Sequence, residues 1–494
     1  MNKLELTIHN VKSISDFSMD FPLKKGLYAL TGENGTGKST IMTCAASVFY
    51  QMPLEDYFGD TPEDARISFR VGDKAGSWEK VNKKWTKITN GKVPLKGFFE
   101  GSIIYGNRFK DTSKDSIEKL IQAYQTEKLH SANPFIIENL GYVLHNSKSA
   151  YPGLYELSHT SSKKYSFNGR PFYLKVGNKT VIQAHMSTGE NLLITILHSL
   201  EKRINDRRSI RRGDWQPTVI LLDEIELALH PAALQRLLEL LGRIAQEYDF
   251  SIYFSTHSIE LIRGINPDNI FYLEKHQDNS IELITPCYPA YATKNLYETN
   301  YGYDIVIFVE DVLAVEIVQR ILVENKMKSN KLIAVIPCGG WRNVLSLHEH
   351  FINNNLFAKP TKFITILDGD VQTDASKYLN DKTKDLLVSY LPIKSLEKYL
   401  KFSLCDVVDH KLFRELSDYI FYKNSLGALV RDYNTLKQNL KDDSTGKRFF
   451  GLIVEELHNC GKSKETLVEF VVKYVIEQNG ADVQRIKEFL VANI

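Results

Sequence analysis

The stretch Gly32-Glu33-Asn34-Gly35-Thr36-Gly37-Lys38-Ser39 decides the reading of this chain. It fits the phosphate-loop pattern GxxxxGK[ST], and its neighbours give the pattern mechanical meaning. Gly26-Leu27-Tyr28-Ala29-Leu30 reads as a buried strand before it, and Thr40-Ile41-Met42 opens a helical run after it. Glycines let such a turn aim backbone N–H groups at a phosphate, and the helix N-terminus adds partial positive charge. Lys38 then reaches the β- and γ-phosphates, and Ser39 ligates Mg²⁺. The expected cofactors are ATP and Mg²⁺, with Asn34, Gly35, Gly37, Lys38, Ser39 and Thr40 forming the cradle.

At 494 residues the chain has room for two to four domains. No stretch approaches the roughly 18 uninterrupted apolar residues of a membrane helix, and the N-terminus lacks a signal-peptide core, so no membrane association and a cytoplasmic address are expected. The cysteines at 44, 287, 338, 405 and 460 are too scattered for a CxxC metal site or a disulfide framework. A formal net charge of +2 leaves any nucleic-acid contact to local patches. One such run, Lys80, Lys83, Lys84, Lys87, Lys92 and Lys96 with Trp78 and Trp85 interleaved, fits a nucleic-acid surface; a solvated lysine-rich edge strand is the commoner meaning. A second run, Lys202, Arg203, Arg207, Arg208, Arg211 and Arg212, is open to the same two readings.

Period-two alternation predicts strands over Leu4–Ile8 and Asp16–Phe21. Further antiparallel strands are expected over 67–71 and 78–88, with a hairpin turn at Asn90-Gly91. A helix is expected from Asp115 to Glu127, followed by polar loops to about residue 168. Downstream, Met186-Ser187-Thr188-Gly189-Glu190-Asn191 precedes a helical run, which makes Ser187, Gly189 and Glu190 a candidate γ-phosphate cradle. The apolar strand Val219–Leu222 ends in Asp223-Glu224: Asp223 to hold Mg²⁺ and Glu224 to orient or deprotonate the attacking water. Ile252–Thr256 is another strand, with His257 at its end as a γ-phosphate sensor.

These four motifs, in this order, resemble the ATPase head of the ABC superfamily, of the SMC-like kind, over residues 1 to about 275. Leu229-His230-Pro231 resembles the D-loop region of that branch, and Asn107 is a candidate for its Q-loop residue. The resemblance implies a homodimer of heads, each signature facing the partner's phosphate loop. The segment between phosphate loop and signature lacks the sustained heptads of a long coiled coil.

Past a Pro/Tyr-rich linker near 286–293, a new α/β pattern begins. Ile305–Val309 is a strand ending in Glu310, Leu332–Ile336 runs into a Gly339-Gly340 turn, and Phe363–Leu367 ends in Asp368-Gly369-Asp370. Acids at the ends of parallel strands converge on one sheet edge, where two-metal phosphodiester chemistry needs them. In isolation Asp-Gly-Asp is more simply a turn. The series as a whole resembles a TOPRIM domain, and an ABC head followed by TOPRIM resembles the OLD family of ATP-regulated nucleases. That resemblance adds Glu397 to a metal set of Glu310, Asp368 and Asp370, with Mg²⁺ or Mn²⁺ there, and Ser39 and Asp223 at the ATP site. It implies catalytic roles for Glu224, His257, Glu310, Asp368 and Asp370. The sequence departs from the family where Ala314 replaces an acid four residues after Glu310, which puts one metal site in doubt.

The expected architecture is thus α/β: an ABC-type ATPase head over 1–290, a TOPRIM-like parallel α/β domain over 300–400, and a helical C-terminal region over 401–494. In the last, Leu467, Phe470, Val471 and Tyr474 mark one buried helix face. The implied function is an ATP-regulated, metal-dependent DNA endonuclease in anti-phage defence, acting as a homodimer or higher homo-oligomer, in some family members with a partner protein or reverse transcriptase. The competing reading is an ATP-driven sensor or scaffold whose TOPRIM-like domain is inert and which holds or releases a separate effector.

Overall fold

The structure is a computed structural model that describes residues 3–50, 54–101, 113–167, 169–209, 216–276, 280–294, 302–353, 361–382, 386–421, 426–437 and 443–494. Asn107, Arg211 and Arg212 lie outside the described residues. The chain divides into two compact units, 1–299 and 300–494.

The first unit begins with β1 (Lys3–Val11), β2 (Ile14–Pro22) and β3 (Gly26–Gly32), then α1 (Lys38–Ala46) and α2 (Leu54–Phe58). Strands β4 (Arg66–Val71), β5 (Lys74–Val81), β6 (Lys84–Thr89) and β7 (Lys96–Glu100) follow. A smaller lobe contains α3 (Lys114–Thr126), β8 (Leu129–Ser131), α4 (Pro134–His145), β9 (Leu154–Leu157), α5 (His159–Lys164), β10 (Phe172–Val176) and β11 (Lys179–Ile182). The unit closes with α6 (Thr188–Ser209), β12 (Thr218–Leu222), α7 (Pro231–Tyr248), β13 (Phe250–Ser255), α8 (Ile259–Ile262), β14 (Ile270–Lys275), β15 (Ile281–Ile284) and α9 (Pro289–Ala292).

Its centre is the sheet β15-β14-β3-β13-β12-β7, parallel throughout except for β15. Both faces are covered, as parallel sheets require. Ala29, Ile220, Leu222, Ile252 and Phe254 pack against α4, α6 and α7. The alternate residues Leu30, Val219, Leu221 and Tyr253 pack against α1 and the antiparallel sheet β2-β1-β4-β5-β6. Neighbouring strands of one sheet thus come from distant parts of the sequence, and their C-terminal ends share one edge.

Two local expectations are corrected. The stretch 78–88 is not one strand: Asn82 and Lys83, with φ of 51° and 64°, form the two-residue turn between β5 and β6. Paired positive φ values match the right-handed twist of a hairpin, and Asn tolerates them well. Asn90-Gly91 instead follows β6, where the Asn90 side-chain carbonyl accepts from Ala75 N–H at 2.9 Å, and the chain leaves for the other sheet. The polar loops expected before residue 168 contain α4, whose apolar residues Ile136, Leu140 and Val143 are fully buried. In the lysine run, Lys83, Lys84, Lys87 and Lys92 are exposed at or beside the edge strand β6, whereas Lys80 is buried. Lys80 Nζ donates to the Thr61 carbonyl at 2.6 Å, and Lys87 Nζ donates to the carbonyls of Ser47 and Val48.

The second unit contains β16 (Ile305–Val309), α10 (Val312–Glu324), β17 (Ile333–Pro337), α11 (Trp341–Asn353), β18 (Lys362–Leu367), α12 (Gln372–Lys382), β19 (Val388–Tyr390) and α13 (Leu396–Lys401). Helices α14 (His410–Tyr419), α15 (Leu426–Lys437), α16 (Lys447–Asn459), α17 (Lys464–Gln478) and α18 (Gly480–Asn493) complete it. The sheet order is β17-β16-β18-β19, all parallel. Ile305, Ile307, Ile364 and Ile366 face α10 and share a core with Leu412, Phe449, Val471 and Leu490 of the helical region. Val306 and Phe308 face α11 and α12. The helical C-terminal region therefore completes the core of the strand region preceding it. Its residues Leu467, Val471 and Tyr474 are buried, and Phe470 packs partly buried beside them.

Among the described residues no helix is long and apolar enough to cross a membrane.

Candidate functional site

The phosphate loop lies between β3 and α1, as the alternation from strand to helix dictates. Gly37, at φ 86°, stands in the left-handed region, and a Cβ there would meet Ile14 Cδ1 at 2.9 Å. A Cβ on Gly32 would meet the Leu273 carbonyl at 2.4 Å. Asn34 and Gly35 form the exposed tip, while Ser39 and Thr40 are half-buried in the first turn of α1. Lys38 is buried, and its Nζ donates to the carbonyls of Gly32 and Glu33 at 3.1 and 2.9 Å. Burial lowers its pKa to about 8 against the opposing pull of Asp223, Glu224 and Glu226.

The acids arrive on β12, the histidine on β13. Asp223 is buried, and one hydroxyl organises the segment: Ser255 Oγ donates to Asp223 Oδ1 and accepts from Glu224 N–H at 3.0 Å. Glu224 takes a left-handed φ of 51°. His257 N–H donates to Glu226 Oε1 at 2.7 Å. Burial, reinforced by the Lys38 charge, lowers the His257 pKa to about 4, so the ring is neutral near pH 7. Burial raises Glu226 above its ordinary range. The structure thus brings Lys38, Asp223, Glu224 and His257 together, with Glu226 and Ser255 beside them. Glu226 was legible as the third acid of Asp223-Glu224-Ile225-Glu226. Ser255 carried no signal of its own, because its role exists only once β12 and β13 pair.

The signature residues open α6. Ser187 Oγ donates to Glu190 Oε2 at 2.8 Å and accepts from Glu190 N–H at 3.2 Å, while Ser187 N–H donates to the same carboxylate at 2.8 Å. This is a reciprocal capping box. It accounts for helix initiation by itself and leaves Ser187 and Thr188 exposed. Burial alone would raise the Glu190 pKa, yet these bonds and one at 2.8 Å from Tyr151 Oη hold it below its ordinary value. Gly189 is buried because a Cβ would meet the Ala228 carbonyl at 2.7 Å, which seats the helix start against the segment after β12.

A phosphate-cradling turn, a buried lysine, a strand-end acid beside Ser39's helix and a neutral histidine fit a nucleoside triphosphate with Mg²⁺. Residues 27–263 match the family model described as "AAA domain, putative AbiEii toxin, Type IV TA system". Residues 27–263 are thus similar to an ATPase domain of the AAA type. Among solved structures the chain is similar to the Smc head bound to the C-winged helix domain of ScpA, at 15% identity over 57% of this chain and 96% of that one, with a TM-score of 0.37. The SMC head domain from Thermotoga maritima gives 14% identity, 58% and 99% coverage and a TM-score of 0.32. The Smc head with an extended coiled coil bound to the C-terminal domain of ScpA, from Pyrococcus furiosus, gives 13%, 58% and 96%, and 0.37. No curated protein matches the sequence.

In the second unit the C-terminal strand ends carry the acids. Glu310 follows β16, and its Oε1 accepts from Asp368 N–H at 2.8 Å, with the Trp341 N–H a further donor to the carboxylate. Asp368 follows β18 and is 5% exposed. Burial, then the charges of Asp311, Glu310 and Asp370, raise its pKa to about 8. Asp311 caps α10, with Oδ1 accepting from Ala314 N–H at 2.9 Å. Asp370 Oδ2 takes a bond from Lys398 Nζ at 2.6 Å. Glu397 lies beside Lys398 in the first turn of α13, within electrostatic reach of Asp311. Ala314 is fully buried in α10 and offers no side-chain donor.

Among the described residues no three His, Cys, Asp or Glu side chains are grouped to hold a metal ion. The acids at this edge are carboxylates alone, and Glu310, Asp311 and Asp370 each already accept a hydrogen bond. Sequence reasoning missed Lys398, although it adjoins Glu397.

Proposed function

We propose that the chain is an ATP-regulated, metal-dependent DNA endonuclease of the OLD type, with a TOPRIM-like second unit, serving in anti-phage defence as a homodimer or higher homo-oligomer through its ATPase heads. A partner protein or reverse transcriptase is compatible with this reading. The observation that carries it is the convergence of Glu310, Asp368 and Asp370 on the C-terminal edge of one parallel sheet, with Asp368 held by its neighbours in a state that a cation would relieve.

In the head, Lys38 and the loop amides bind the phosphates, Ser39 and Asp223 hold Mg²⁺, and Glu224 orients the attacking water. His257 meets the γ-phosphate, positioned by Glu226 through its backbone. Ser187 and Gly189 cradle the γ-phosphate of the partner head. In the second unit, Asp368 and Glu310 hold a divalent ion, with Asp370 and Glu397 flanking. A bound Mg²⁺ or Mn²⁺ supplies charge neutralisation of the scissile phosphate and a more acidic water. Glu310 also fixes the Asp368 backbone, so the acid is presented in one orientation.

The second reading, an ATP-driven sensor or scaffold with an inert domain, is favoured by Ala314 and by the Lys398–Asp370 pair. Incubation of plasmid and single-stranded DNA with Mg²⁺ or Mn²⁺, with and without ATP, beside Asp368→Ala, separates the two. Cleavage abolished by the substitution supports the nuclease. ATP hydrolysis without cleavage under any condition rejects it in favour of the scaffold.

A further inference from the structure

We propose that Tyr151, acting through Glu190, sets the direction of the Ser187 hydroxyl and is thereby a positioning residue for ATP hydrolysis, a role that rests on the reading of Ser187 as a γ-phosphate contact and deepens it.

Both oxygens of the Glu190 carboxylate are in use. Oε2 accepts from the Ser187 N–H and hydroxyl, each at 2.8 Å, and Oε1 accepts from Tyr151 Oη at 2.8 Å. Tyr151 is 6% exposed, with its ring in the core shared by α4, α6 and α7. A phenol has one proton, and here the carboxylate takes it, so toward His145 Nε2 at 3.1 Å the oxygen can only accept. His145 therefore carries a proton on Nε2. A directed chain results, from His145 to Tyr151 and from Tyr151 to Glu190, which receives Ser187 on its other oxygen.

The far end of this chain is anchored to the helix that follows the acids of the ATP site. His145 ends α4, and Arg236 of α7 donates to the carbonyls of Val143 and Leu144 at 2.8 and 3.2 Å. Tyr142 adds a bond to Glu239 of α7 at 2.7 Å. The serine at the head of α6 is thus tied, through the lobe between phosphate loop and signature, to the helix that begins shortly after Asp223 and Glu224. Gln183 joins the lobe to α6 a second time, accepting from Phe172 N–H and donating to Asn191.

An ionised γ-phosphate offers only acceptor oxygens, so Ser187 must turn its proton away from Glu190 Oε2 to bind it. At that moment Glu190 loses a donor while a second anion arrives. Tyr151 holds the carboxylate by Oε1 and draws its charge away from the phosphate, which frees the serine to turn. With phenylalanine at position 151 the carboxylate keeps the serine proton. ATP binding at the chain's own phosphate loop does not use this group; hydrolysis at the signature does.

The test is steady-state ATP hydrolysis and calorimetric ATP binding by the full chain, with folding checked by circular dichroism. Tyr151→Phe should lower kcat about 10-fold, the scale of one hydrogen bond to a charged group, and leave ATP affinity within about twofold. In a Ser187→Ala background the same substitution should lower kcat by less than about twofold more, because the group it acts through is gone. If Tyr151→Phe does not fold, His145→Ala, which withdraws an exposed donor, takes its place with an expected loss of about 3-fold and is read in the same way. Unchanged kcat in the single variant, weakened ATP binding, or an equal further loss beside Ser187→Ala overturns the inference alone. Full turnover in Ser187→Ala, or no turnover in the wild type, overturns the signature reading together with it.

Discussion

Glu310 and Asp368 are 58 residues apart in sequence, yet the Asp368 backbone N–H donates to Glu310 Oε1 at 2.8 Å. The bond joins the C-terminal ends of β16 and β18, adjacent parallel strands. A carboxylate that holds a neighbouring strand end in place performs structural work whether or not it also meets a cation. Glu310→Gln keeps an acceptor for that N–H, whereas Glu310→Ala removes it. Stability should therefore fall by about 1–3 kcal/mol in the alanine variant and by less in the glutamine variant. Chemical denaturation of both proteins checks the order.

In the phosphate loop, Lys38→Ala removes the buried ammonium that faces the phosphate site. Nucleotide affinity should drop at least about 100-fold, roughly 3 kcal/mol for charge-assisted bonds. Calorimetric titration with ATP measures it; unchanged affinity would place the nucleotide elsewhere.

Ser255→Ala severs the single hydroxyl that joins Asp223 to the Glu224 backbone. A buried carboxylate losing its donor costs about 1–3 kcal/mol. ATP turnover should decline about 10- to 100-fold, more in kcat than in KM, while Glu224→Gln should keep ATP binding and trap the ATP-bound head dimer. Steady-state kinetics and size-exclusion chromatography with ATP report the two results.

Gly369→Ala should destabilise the second unit by about 1–3 kcal/mol, because the methyl carbon would stand 2.6 Å from a backbone carbonyl. Gly340→Ala, with nothing within 4 Å of the new carbon, should stay within about 0.5 kcal/mol of the wild type. Thermal unfolding of both separates a required close approach from an ordinary turn.

His348 is fully buried, with Nδ1 bonded to Thr365 Oγ1 at 2.8 Å and Nε2 unpartnered. Burial lowers its pKa from 6.5 to about 4. The unfolded chain then binds more protons than the folded one between these values. Stability is full above about pH 6.5 and is lost as pH falls toward 4, by up to roughly 3 kcal/mol for this ring. His348→Leu should flatten the pH dependence of the unfolding midpoint across that window; an unaltered slope would assign acid sensitivity to other groups, His198 among them.

The motif residues Lys38, Asp223, Glu224 and His257 were legible because each is tied to a local signal: a glycine-rich turn, or an apolar strand ending in a polar group. Ser255 and Lys398 were not singled out, because each acts through a partner on another element. The Asn90-Gly91 expectation failed for a related reason. Asn-Gly favours a tight turn wherever it falls, but Asn82-Lys83 is what lies between two segments able to pair, and tertiary pairing outweighs local preference.

By itself the sequence determined the alternation of strands and helices, the phosphate loop and the places where acids end strands. These depend on side-chain periodicity and on residues a few positions apart. Only the tertiary structure decided which strand ends meet, that the helical C-terminal region completes the core of the second unit, and that Lys398 lies on Asp370. Those contacts arise from sheet order and close packing between distant segments, to which one-dimensional periodicity is blind.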